Sequence, residues 1–474
     1  MSTSILWFRR DLRLNDNPAL AAAAGQAELL VPLFCFEQGL WRGRHASPNR
    51  NAYLLASLRE LDEMLRKAGS RLFYRSGDPA IVLAKLAAET GAETVHINRD
   101  YTAHAGSRER RVRAALATAG AELVLHNGIA CAEIEELETG SGGTYRVFTP
   151  FYGSWDGGRR RRPAGRPRRL RSPPSLGKGR PPSEGAMGVD ARAKRLAAGF
   201  GPGERAARRA MRRALTGADD YGRVRNLPAE DATTKLSPQL HFGTISAREL
   251  EALLLERETE GALELRRQIA WRDFWLNVIG RFPANRDLEY DERMRGMRWR
   301  RSARDLDAWK RGRTGVPWID AGMRQLLAQG WMHNRVRMAV ASYLTKNLLL
   351  DWRHGEAHFM RHLLDGDEAQ NNGNWQWAGS VGADAQPYFR IFNPARQQQR
   401  FDPDGIYVRR WLPELAELPD RHLAAPWEAP GPVLAEAGIE LGSEYPEPLV
   451  DLGKSRAEAI SRFRDQRDGN GSAD

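Results

Sequence analysis

The sequence predicts a two-domain protein, in which a Rossmann-like α/β domain with a parallel five-stranded sheet precedes an all-α domain. Three observations carry this prediction. Short apolar runs alternate with helical patterns over the first third of the chain, the composition becomes rich in Arg, Pro and Gly between Gly140 and Gly199, and strand patterns almost vanish beyond Gly201. Alternating strands and helices form parallel sheets. We therefore expect an α/β domain over residues 1–135, a linker over 136–200 and a helical domain over 201–474.

The α/β prediction depends on five nearly continuous apolar runs, which are typical of strands buried on both faces of a sheet. These runs are Ser4–Phe8, Leu29–Phe36, Arg71–Tyr74, Val95–Asn98 and Leu123–His126. Between them, Asn17-Pro18 is a helix start, with a capping residue before a first-turn proline. Apolar residues at three- and four-residue spacing predict a helix over Asn51–Lys67. The absence of Gly-x-Gly-x-x-Gly and Walker motifs excludes a conventional dinucleotide or nucleoside triphosphate site.

The linker carries most of the net charge. Residues 157–182 contain ten Arg or Lys and no Asp or Glu, and without them the chain has 62 basic and 60 acidic residues in place of a net +12. Repeated Pro and Gly beside Arg159–Arg162 predict a flexible, solvated connector, because this composition buries little apolar surface. Weak attraction to phosphates is a possible additional role.

The helical domain is predicted from six stretches of helical periodicity. They are Gly203–Leu215, Ala247–Glu260, Leu263–Gly280, Trp318–Gln329, Trp331–Leu350 and Glu356–Leu364. Ser246-Ala-Arg-Glu249 is a capping box, and Ser237-Pro238 resembles a cap followed by a first-turn proline.

Composition excludes several classes of protein. With 41% hydrophobic and 28% charged residues, the chain has an ordinary globular composition, and no apolar run approaches the roughly 20 residues that span a bilayer. We expect no secretory signal and a cytoplasmic location. Cys35 and Cys131 are the only cysteines, which argues against a disulfide framework and against a four-cysteine metal site.

Two helical faces combine aromatic and polar residues. Gln268, Trp271, Arg272 and Trp275 fall on one face of the Leu263–Gly280 helix. Tryptophans at this spacing usually pack in a core, but Gln and Arg on the same face need polar partners and favour a stacking platform with donors at its edge. A second helical face carries Asn334, Arg337 and Met338.

Other polar residues near these faces have both structural and functional interpretations. His333 is predicted to be a structural histidine, and Arg337 to pair with Asp365. The hydroxyls and amides of Thr233–Ser237 suit phosphate oxygens, although such clusters are commonly helix caps. Trp299, Trp352 and Trp375 read as ordinary packing when considered alone. Asp365–Trp377 collects three carboxylates, adjacent carboxamides and two tryptophans, a mixture that suits a buried, flat, polar-edged aromatic ligand.

Together these motifs resemble the DNA photolyase/cryptochrome family, and most closely its class I branch that repairs cyclobutane pyrimidine dimers. The resemblance extends from Ile5 to Trp427 without the connector, and is most specific in four segments. These are Leu6–Asn17, Gly330–Met338, Asp365–Trp377 and Tyr388–Pro394. It implies a bent, non-covalently bound FAD in the helical domain and a light-harvesting chromophore on the α/β domain.

The resemblance implies roles for individual residues. Tyr221 and Thr233, Thr234, Lys235, Leu236 and Ser237 would hold the FAD phosphates and ribitol; Arg272, Arg337, Asp365, Asp367 and Asn371 complete the expected cofactor-binding set. Asn371 would lie against flavin N5, where a neutral amide suits an anionic reduced flavin. Trp375, Trp352 and Trp299 would relay electrons from the surface during photoreduction of oxidised FAD.

The implied reaction is light-driven electron transfer from reduced FAD to a flipped pyrimidine dimer, splitting of its two C–C bonds and return of the electron. Trp271 and Trp377 would pack against the dimer. The expected substrate- and DNA-binding residues are Arg225, Gln268, Trp271, Trp275, Asn334, Arg335, Met338, Trp377 and Arg390. The resemblance implies a monomer that acts on damaged DNA, with no metal, no membrane association and no obligate protein partner.

Two departures from the family pattern leave alternatives open. Gln268 stands where dimer photolyases usually have a glutamate; glutamine is also seen in the branch that repairs (6-4) photoproducts, but that branch has a histidine at the position of Met338. Tyr101–Ala105 lacks the Asn-Glu pair of folate-binding members, and Asn98–Tyr101 looks more like members that use a deazaflavin or another flavin. The antenna candidates are deazaflavin, flavin and methenyltetrahydrofolate. The functional alternatives are a cryptochrome photoreceptor, a (6-4) photolyase and a flavin-free DNA-binding protein.

Overall fold

The computed structural model describes residues 2–132 and 134–470. They form two compact units. The first comprises residues 1–221, 234–283 and 364–370, and the second comprises residues 222–233, 284–363 and 371–474. The boundaries expected from composition divide the chain into continuous stretches, whereas each of these units is discontinuous. Residues 234–283 and 364–370 belong to the unit that contains the sheet.

A five-stranded sheet is the centre of the first unit. Its strands are β1 (Thr3–Phe8), β2 (Leu29–Phe36), β3 (Phe73–Ser76), β4 (Ala92–Asn98) and β5 (Glu122–His126). They lie in the order β3-β2-β1-β4-β5, and every neighbouring pair is parallel. The predicted fold class and all five strands are confirmed. The third strand begins at Phe73 rather than Arg71, since the Leu72 amide donates to Asp62 Oδ1 at 2.9 Å instead of to a strand.

Alternate residues of the central strand point to opposite faces of the sheet, as the period of a strand requires. Leu6 and Phe8 belong to one hydrophobic core, and Ile5 and Trp7 belong to another. Because both faces are covered, the strand is a continuous apolar run without polar alternation. The helices that follow the strands are α1 (Pro18–Gln26), α2 (Gln38–Arg42), α3 (Pro48–Lys67), α4 (Pro79–Thr90), α5 (Ala103–Thr118) and α6 (Phe148–Gly157).

Helices dominate the remainder of the chain. They are α7 (Ala191–Gly199), α8 (Glu204–Thr216), α9 (Tyr221–Val224), α10 (Ser237–Phe242), α11 (Ala247–Leu255), α12 (Glu260–Arg281), α13 (Ala303–Arg311), α14 (Pro317–Gln329), α15 (Asn334–Ser342), α16 (Trp352–His362), α17 (Glu368–Ala378), α18 (Pro394–Phe401), α19 (Ile406–Trp411), α20 (Asp420–Leu423), α21 (Gly431–Glu436) and α22 (Leu452–Asn470). The core of the second unit includes Trp309, Trp318, Trp352 and Trp375.

Helix caps explain where the predicted boundaries hold and where they move. The side chains of Asn17 and Ser246 accept hydrogen bonds from Leu20 N and Glu249 N, as predicted. The predicted Ala247–Glu260 helix ends at Leu255 because Thr259 caps α12, which therefore begins at Glu260. Ser237 is the first residue of α10 and not its cap, which is Leu236.

The predicted Trp331–Leu350 helix is divided. His333 caps α15, which begins at Asn334 and passes into a π-helical turn over Tyr343–Asn347. Leu349 then adopts a positive φ of 54°, a conformation that a continuing helix does not allow. Periodicity predicted the helical character of this stretch but not the change in its winding.

The flexible connector predicted over residues 157–182 is wrong. Beyond Gly157, the last residue of α6, the segment has no helix or strand, yet it is hydrogen-bonded along the first unit. Leu30 N donates to Arg171 O at 2.7 Å, Leu170 N donates to Ala68 O at 2.7 Å, and Tyr74 N donates to Lys178 O at 2.8 Å. These backbone bonds, which composition does not reveal, hold the segment together with the buried side chains of Leu170 and Leu176.

Candidate functional site

Trp271 of α12 forms an aromatic platform with Phe148, the first residue of α6. The two rings stack with centroids 3.7 Å apart and an interplanar angle of 5°. Trp271 is partly exposed, whereas Phe148 is 2% exposed. One face of the indole is thus supported by protein, and this arrangement suits stacking of a flat ligand on the other. Phe148 was not predicted from the sequence. Its only local signal is its position two residues before Pro150, a proline in the first turn of α6.

Trp275 lies one turn further along α12 and has a different environment. Its ring centroid is 5.8 Å from that of Trp271, and it is 2% exposed. Trp275 therefore packs in the core, in agreement with the structural interpretation of tryptophans at helical spacing. Its predicted contact with substrate stays a prediction.

Asp273 holds α12 in place beside Trp271. The Asp273 carboxylate is fully buried and accepts hydrogen bonds from Cys131 N and Ala132 N at 2.9 Å and from Trp155 Nε1 at 3.0 Å. Burial raises the pKa of Asp273, and Arg272 and these donors oppose the shift. Because α6 contributes both Trp155 and Phe148, one anchored helix supports the platform.

Arg272 is a largely buried cation, with a side chain that is 11% exposed. Its Nη1 donates to Ile129 O at 2.9 Å, and burial lowers the pKa of its guanidinium despite the nearby Asp273 and Asp367. A guanidinium with a lowered pKa is stabilised by a further anionic partner. Arg272 therefore fits a negatively charged group of a cofactor.

Gln268 completes the predicted α12 face. Its Nε2 donates to Glu264 Oε1 at 3.2 Å and to Glu264 O at 3.4 Å, so the carboxamide is held on its own helix. Gln268 is partly exposed. A carboxamide in this position can both donate and accept hydrogen bonds.

Asp367 is at the centre of a buried ion network that sequence reasoning did not identify. Its carboxylate accepts from the Arg10 guanidinium, from His241 Nδ1 at 3.3 Å and from Gln370 N at 3.1 Å. Burial alone raises the pKa of Asp367, but Arg10, His241 and Arg272 outweigh it and lower the pKa well below its usual range. Since an ionised carboxylate only accepts, His241 Nδ1 carries the proton.

Arg50 and Asp365 extend this network. Asp365 is 8% exposed, and Asp365 and Asp367 both favour the charged form of Arg50. Burial nevertheless lowers the pKa of Arg50 to about 10. Arg337, the predicted partner of Asp365, donates from Nε to Met332 O at 2.7 Å, and the predicted pair stays a prediction.

The predicted phosphate-binding segment has an unusual backbone. Lys235 has a positive φ of 50°, Leu236 is buried and Ser237 is exposed at the start of α10. Thr233 Oγ1 is buried and has no hydrogen-bond partner among the described residues. Tyr221, which is partly exposed, is the first residue of α9. A buried hydroxyl without a protein partner fits an oxygen-rich ligand.

At the start of α15, His333 has the structural role predicted for it. Its Nδ1 accepts from Arg335 N at 3.2 Å, and burial together with Arg335 and Arg337 lowers the pKa of His333 to about 4. On the following turn, the exposed Asn334 points its Nδ2 toward Met338 Sδ at 3.8 Å. Asn334 and Met338, which are both predicted to contact a dimer, are therefore in contact with each other.

Two of the arginines predicted to bind phosphates lie close enough to influence each other. Arg225 and Arg400 both lower the pKa of Arg335, in addition to the effect of burial. Arg335 donates to Asn226 Oδ1 at 2.6 Å and lies 4.4 Å from the centroid of Phe401. Mutually repelling guanidinium groups favour an anion, and Arg400 is a member that sequence reasoning missed.

Arg390 is exposed, and its backbone carbonyl accepts a hydrogen bond from the buried Lys346 Nζ at 3.2 Å. Burial lowers the pKa of Lys346 to about 7. The segment that carries Arg390 is thus anchored to the π-helical turn.

Trp375 lies in an aromatic cluster with Trp309 and Phe359. The ring of Trp375 meets these two edge-on, with centroid distances of 6.0 and 5.0 Å. Behind it, a Cβ on Gly355 would approach Trp375 Cη2 to 2.1 Å. The glycine is required by this close approach, and sequence alone did not indicate it.

The other two predicted relay residues differ in exposure. Trp352 is fully buried, with Nε1 donating to Glu289 Oε1 at 3.2 Å. Trp299 is partly buried and meets Phe463 edge-on at 6.1 Å. This gradient from buried to partly exposed is compatible with a path that ends at the surface, while the relay itself stays a prediction.

The amides of α17 divide into structural and candidate functional groups. Gln376 Nε2 donates to Asn285 O at 2.8 Å, and its Oε1 accepts from Tyr290 N at 2.9 Å. Asn371 Nδ2 donates to Glu356 O at 3.0 Å, which fixes the orientation of its carboxamide. Trp377 is partly exposed and packs on the core of the second unit.

Across residues 2–132 and 134–470, no cluster of three or more His, Cys, Asp or Glu could hold a metal ion. No helix in the same ranges is long and apolar enough to cross a membrane. The doubly covered parallel sheet, the helical second unit, the buried cations and the supported indole define a class of protein that binds an anionic, aromatic cofactor.

Comparison with known proteins specifies the class further. Residues 4–168 match the DNA photolyase family model, and residues 265–465 match the FAD binding domain of DNA photolyase. The chain is 42% identical over 461 residues to a deoxyribodipyrimidine photo-lyase of Streptomyces griseus, with 96% of this chain and 98% of the relative covered. The chain therefore belongs to the DNA photolyase family.

Solved structures agree with this assignment. The chain is similar to a bacterial class III photolyase from Agrobacterium tumefaciens, with a TM-score of 0.92, 38% identity and coverage of 99% and 98% of the two chains. It is also similar to a Synechocystis cryptochrome, with a TM-score of 0.88, 29% identity and coverage of 97% and 99%. An archaeal photolyase from Sulfolobus tokodaii that contains two FAD molecules has a TM-score of 0.84, 31% identity and coverage of 98% and 100%.

Proposed function

We propose that the protein is a FAD-dependent, light-driven lyase that splits cyclobutane pyrimidine dimers in DNA. The similarity to a deoxyribodipyrimidine photo-lyase over nearly the whole chain carries this proposal. The supported indole of Trp271 agrees with it, because damaged bases bind by stacking on aromatic side chains once they leave the helix. The family to which the resemblance of the sequence motifs pointed is confirmed.

FAD is the cofactor, and the residues of the chain fit it. Arg272 and Arg50 are buried cations with lowered pKa values, and Thr233 Oγ1 is a buried hydroxyl without a partner among the described residues. We propose that Thr233 and its neighbours through Ser237, with Tyr221, hold the phosphates, and that Arg272, Arg337, Asp365, Asp367 and Asn371 bind the remainder. When bound, reduced FAD supplies the electron that opens the dimer on absorption of light.

Within this proposal, the residues of the protein bind the DNA and orient the dimer. Photolyases are among the enzymes that extrude the target nucleotide, at a lower cost for a damaged, poorly stacked base. Trp271 and Trp377 stack on the extruded dimer, Gln268 hydrogen-bonds to its polar edge, and Asn334 and Met338 border it. Arg225, Arg335 and Arg390 bind phosphates, which position the DNA but carry no sequence information.

Asn371 and the tryptophan relay have separate roles in the proposal. The Asn371 amide, oriented by Glu356 O, presents a neutral group to the flavin. Trp375, Trp352 and Trp299 carry electrons inward only when the cofactor must be reduced. Repair by a protein that is already reduced does not need the relay.

We further propose that the protein is a cytoplasmic monomer that binds damaged DNA without an obligate protein partner. An antenna chromophore on the α/β fold completes the set of cofactors. The similarity to an archaeal photolyase that contains two FAD molecules supports a second flavin as one candidate beside deazaflavin and methenyltetrahydrofolate.

A cryptochrome photoreceptor is the second candidate function. Similarity to the Synechocystis cryptochrome favours it, although at 29% identity this is lower than the 42% identity to a photo-lyase. The two functions share the fold and the cofactor, so only an assay of the reaction separates them.

The test is repair of an oligonucleotide that contains one thymine dimer, with chemically reduced protein, in blue light and in darkness. We expect restoration of the intact thymines in light only. A fully flavin-loaded protein that restores none would contradict dimer repair, and the same assay on a (6-4) photoproduct would then separate lesion choice from a signalling role.

A further inference from the structure

The segment that follows α6 presents a row of exposed arginines, here called the arginine ridge. Its members are Arg159, Arg162, Arg166, Arg168, Arg169 and Arg171, and each is exposed. Residues 157–182 contain no Asp or Glu that could neutralise the ridge locally.

The backbone under the arginine ridge is held to the first unit along its length. Ala164 N donates to Asp16 Oδ1 at 2.7 Å, and Asp16 N donates to Ala164 O at 3.0 Å. Further along, Leu170 is buried, and its amide and the Arg171 carbonyl form hydrogen bonds with Ala68 O and Leu30 N, each 2.7 Å long. The guanidinium groups are therefore presented from a defined surface, and little backbone entropy is lost when they bind a ligand.

Arg160 and Arg161 lie between members of the arginine ridge in the sequence but, unlike them, contact a carboxylate or an aromatic ring of the first unit. Arg161 pairs with Asp16 at 2.8 Å, and Arg160 lies 4.4 Å from the Trp155 ring centroid and 3.6 Å from Glu251. Among the described residues, no member of the arginine ridge forms an ion pair. The side chains of Arg160 and Arg161 therefore fix the segment, whereas no carboxylate in the described part of the chain neutralises the ridge arginines.

We propose that the arginine ridge binds the phosphate backbone of duplex DNA without reading its sequence. Six exposed arginines within thirteen residues that contain no Asp or Glu attract a polyanion. Arginine, which outnumbers lysine nine to one over residues 157–182, binds phosphate through two parallel hydrogen bonds. The identity of the polyanion as DNA rests on the proposed function.

The position of the ridge defines the DNA that it contacts. Phe148, which stacks on Trp271, is the first residue of α6, and the ridge begins two residues after α6 ends. A ten-residue helix is about 15 Å long. The ridge therefore begins about one helix length along the chain from Phe148, and we assign it to the undamaged duplex beside the dimer.

The experiment compares two triple variants of the full-length, flavin-loaded protein. The ridge variant is Arg166→Gln, Arg168→Gln and Arg169→Gln. The matched control is Arg209→Gln, Arg212→Gln and Arg213→Gln on α8, which removes three exposed arginines that form no ion pair among the described residues. Binding of an undamaged 40-base-pair duplex is followed in darkness by fluorescence anisotropy between 50 and 200 mM salt.

For the ridge variant we expect a salt slope shallower by about 2 to 3, because each lost phosphate contact removes about 0.9 from the slope, so the loss of affinity relative to wild type at 50 mM salt should exceed that at 200 mM by roughly 16- to 64-fold. The control should keep the wild-type slope. Equal changes in both variants, or no change in the ridge variant, would overturn the proposal. Replacement of the same three ridge residues by Lys should retain the slope.

The thermal unfolding midpoint and the flavin content of each variant are measured first. If the triple ridge variant does not fold, Arg166→Gln, Arg168→Gln and Arg169→Gln are made singly, and each should lower the slope by about 0.9. Repair by the pre-reduced ridge variant at saturating damaged DNA should equal that of wild type. Absence of repair in the wild type would refute the proposed function, whereas the salt slopes decide the ridge independently.

Discussion

The aromatic platform and the aromatic cluster use the same residue type in opposite ways. In the platform, Trp271 is supported on one face by Phe148 and remains partly exposed. In the cluster, Trp375 is 2% exposed, meets Trp309 and Phe359 edge-on and has Gly355 behind it. An indole with one supported face is suited to stacking a ligand, and an enclosed indole to packing or electron transfer. The number of covered faces, rather than the residue type, separates the two roles.

The largest effect on stability should come from filling the space between Gly355 and Trp375 in the aromatic cluster. In Gly355→Ala, the new Cβ would lie 2.1 Å from Trp375 Cη2, and the indole has no room to withdraw. We expect a loss of about 3 kcal/mol in the free energy of unfolding, at the upper end of overpacking effects, measured by chemical denaturation.

Gly153→Ala on α6 is the matched control for this substitution. No atom lies within 4 Å of its Cβ position, so alanine should stabilise the helix by about 0.5–1 kcal/mol. Equal losses in both variants would show that the cluster is no more tightly packed than the platform helix.

Acid should weaken the second unit through His333. Its pKa in the folded protein is about 4, against about 6.5 in the unfolded chain, so the unfolded state takes up the proton first as the pH falls. The stability contribution is complete above pH 6.5 and is lost toward pH 4, by at most about 1.4 kcal/mol per pH unit. In His333→Asn, which keeps a capping side chain, the loss of stability between pH 6.5 and 4.5 should be smaller. Parallel pH profiles of the variant and wild type would contradict this assignment.

Trp271→Ala should affect ligand binding more than folding, because the indole is partly exposed. We expect discrimination between dimer-containing and intact DNA to fall by about 1–3 kcal/mol, the value of a base–aromatic stack. Phe148→Leu should cause a smaller loss, about 0.5–1.5 kcal/mol, since it removes only the support. Dissociation constants for the two DNAs provide the measurement. Unchanged discrimination in Trp271→Ala would exclude it from the lesion site.

The smallest effect on stability should be that of Trp299→Phe, a partly buried residue at the edge of its core. We expect slower photoreduction of oxidised FAD and wild-type repair by chemically pre-reduced protein. Absorbance changes under blue light measure the rate of photoreduction, and the dimer assay measures repair. Loss of repair in the pre-reduced state would overturn the relay, and with it the functional interpretation of the cluster.

Local patterns predicted the elements of this fold well. The apolar runs of β1 and β2 are strands because both sheet faces are covered, and Asn17 and Ser246 cap their helices through local hydrogen bonds. Prediction was less successful where a hydrogen bond from outside the local pattern intervened. The Leu72 amide bonds to Asp62, and the segment around Leu170 is ordered by bonds to Ala68 and Leu30.

By itself, the sequence determined the fold class, the helix caps at Asn17 and Ser246, the family and the motifs around Trp271, Asp365 and Asn371. The fold class and the caps follow from periodicity and spacing, which act between residues near in the chain, whereas the family follows from the resemblance of the motifs. The tertiary structure decided that Phe148 supports Trp271, that Gly355 makes room for Trp375, that Arg10 and His241 bind Asp367, and that the arginine ridge is ordered. Except for Gly355 and Trp375, these pairs join residues more than 100 positions apart, and only the packed chain brings such residues into contact.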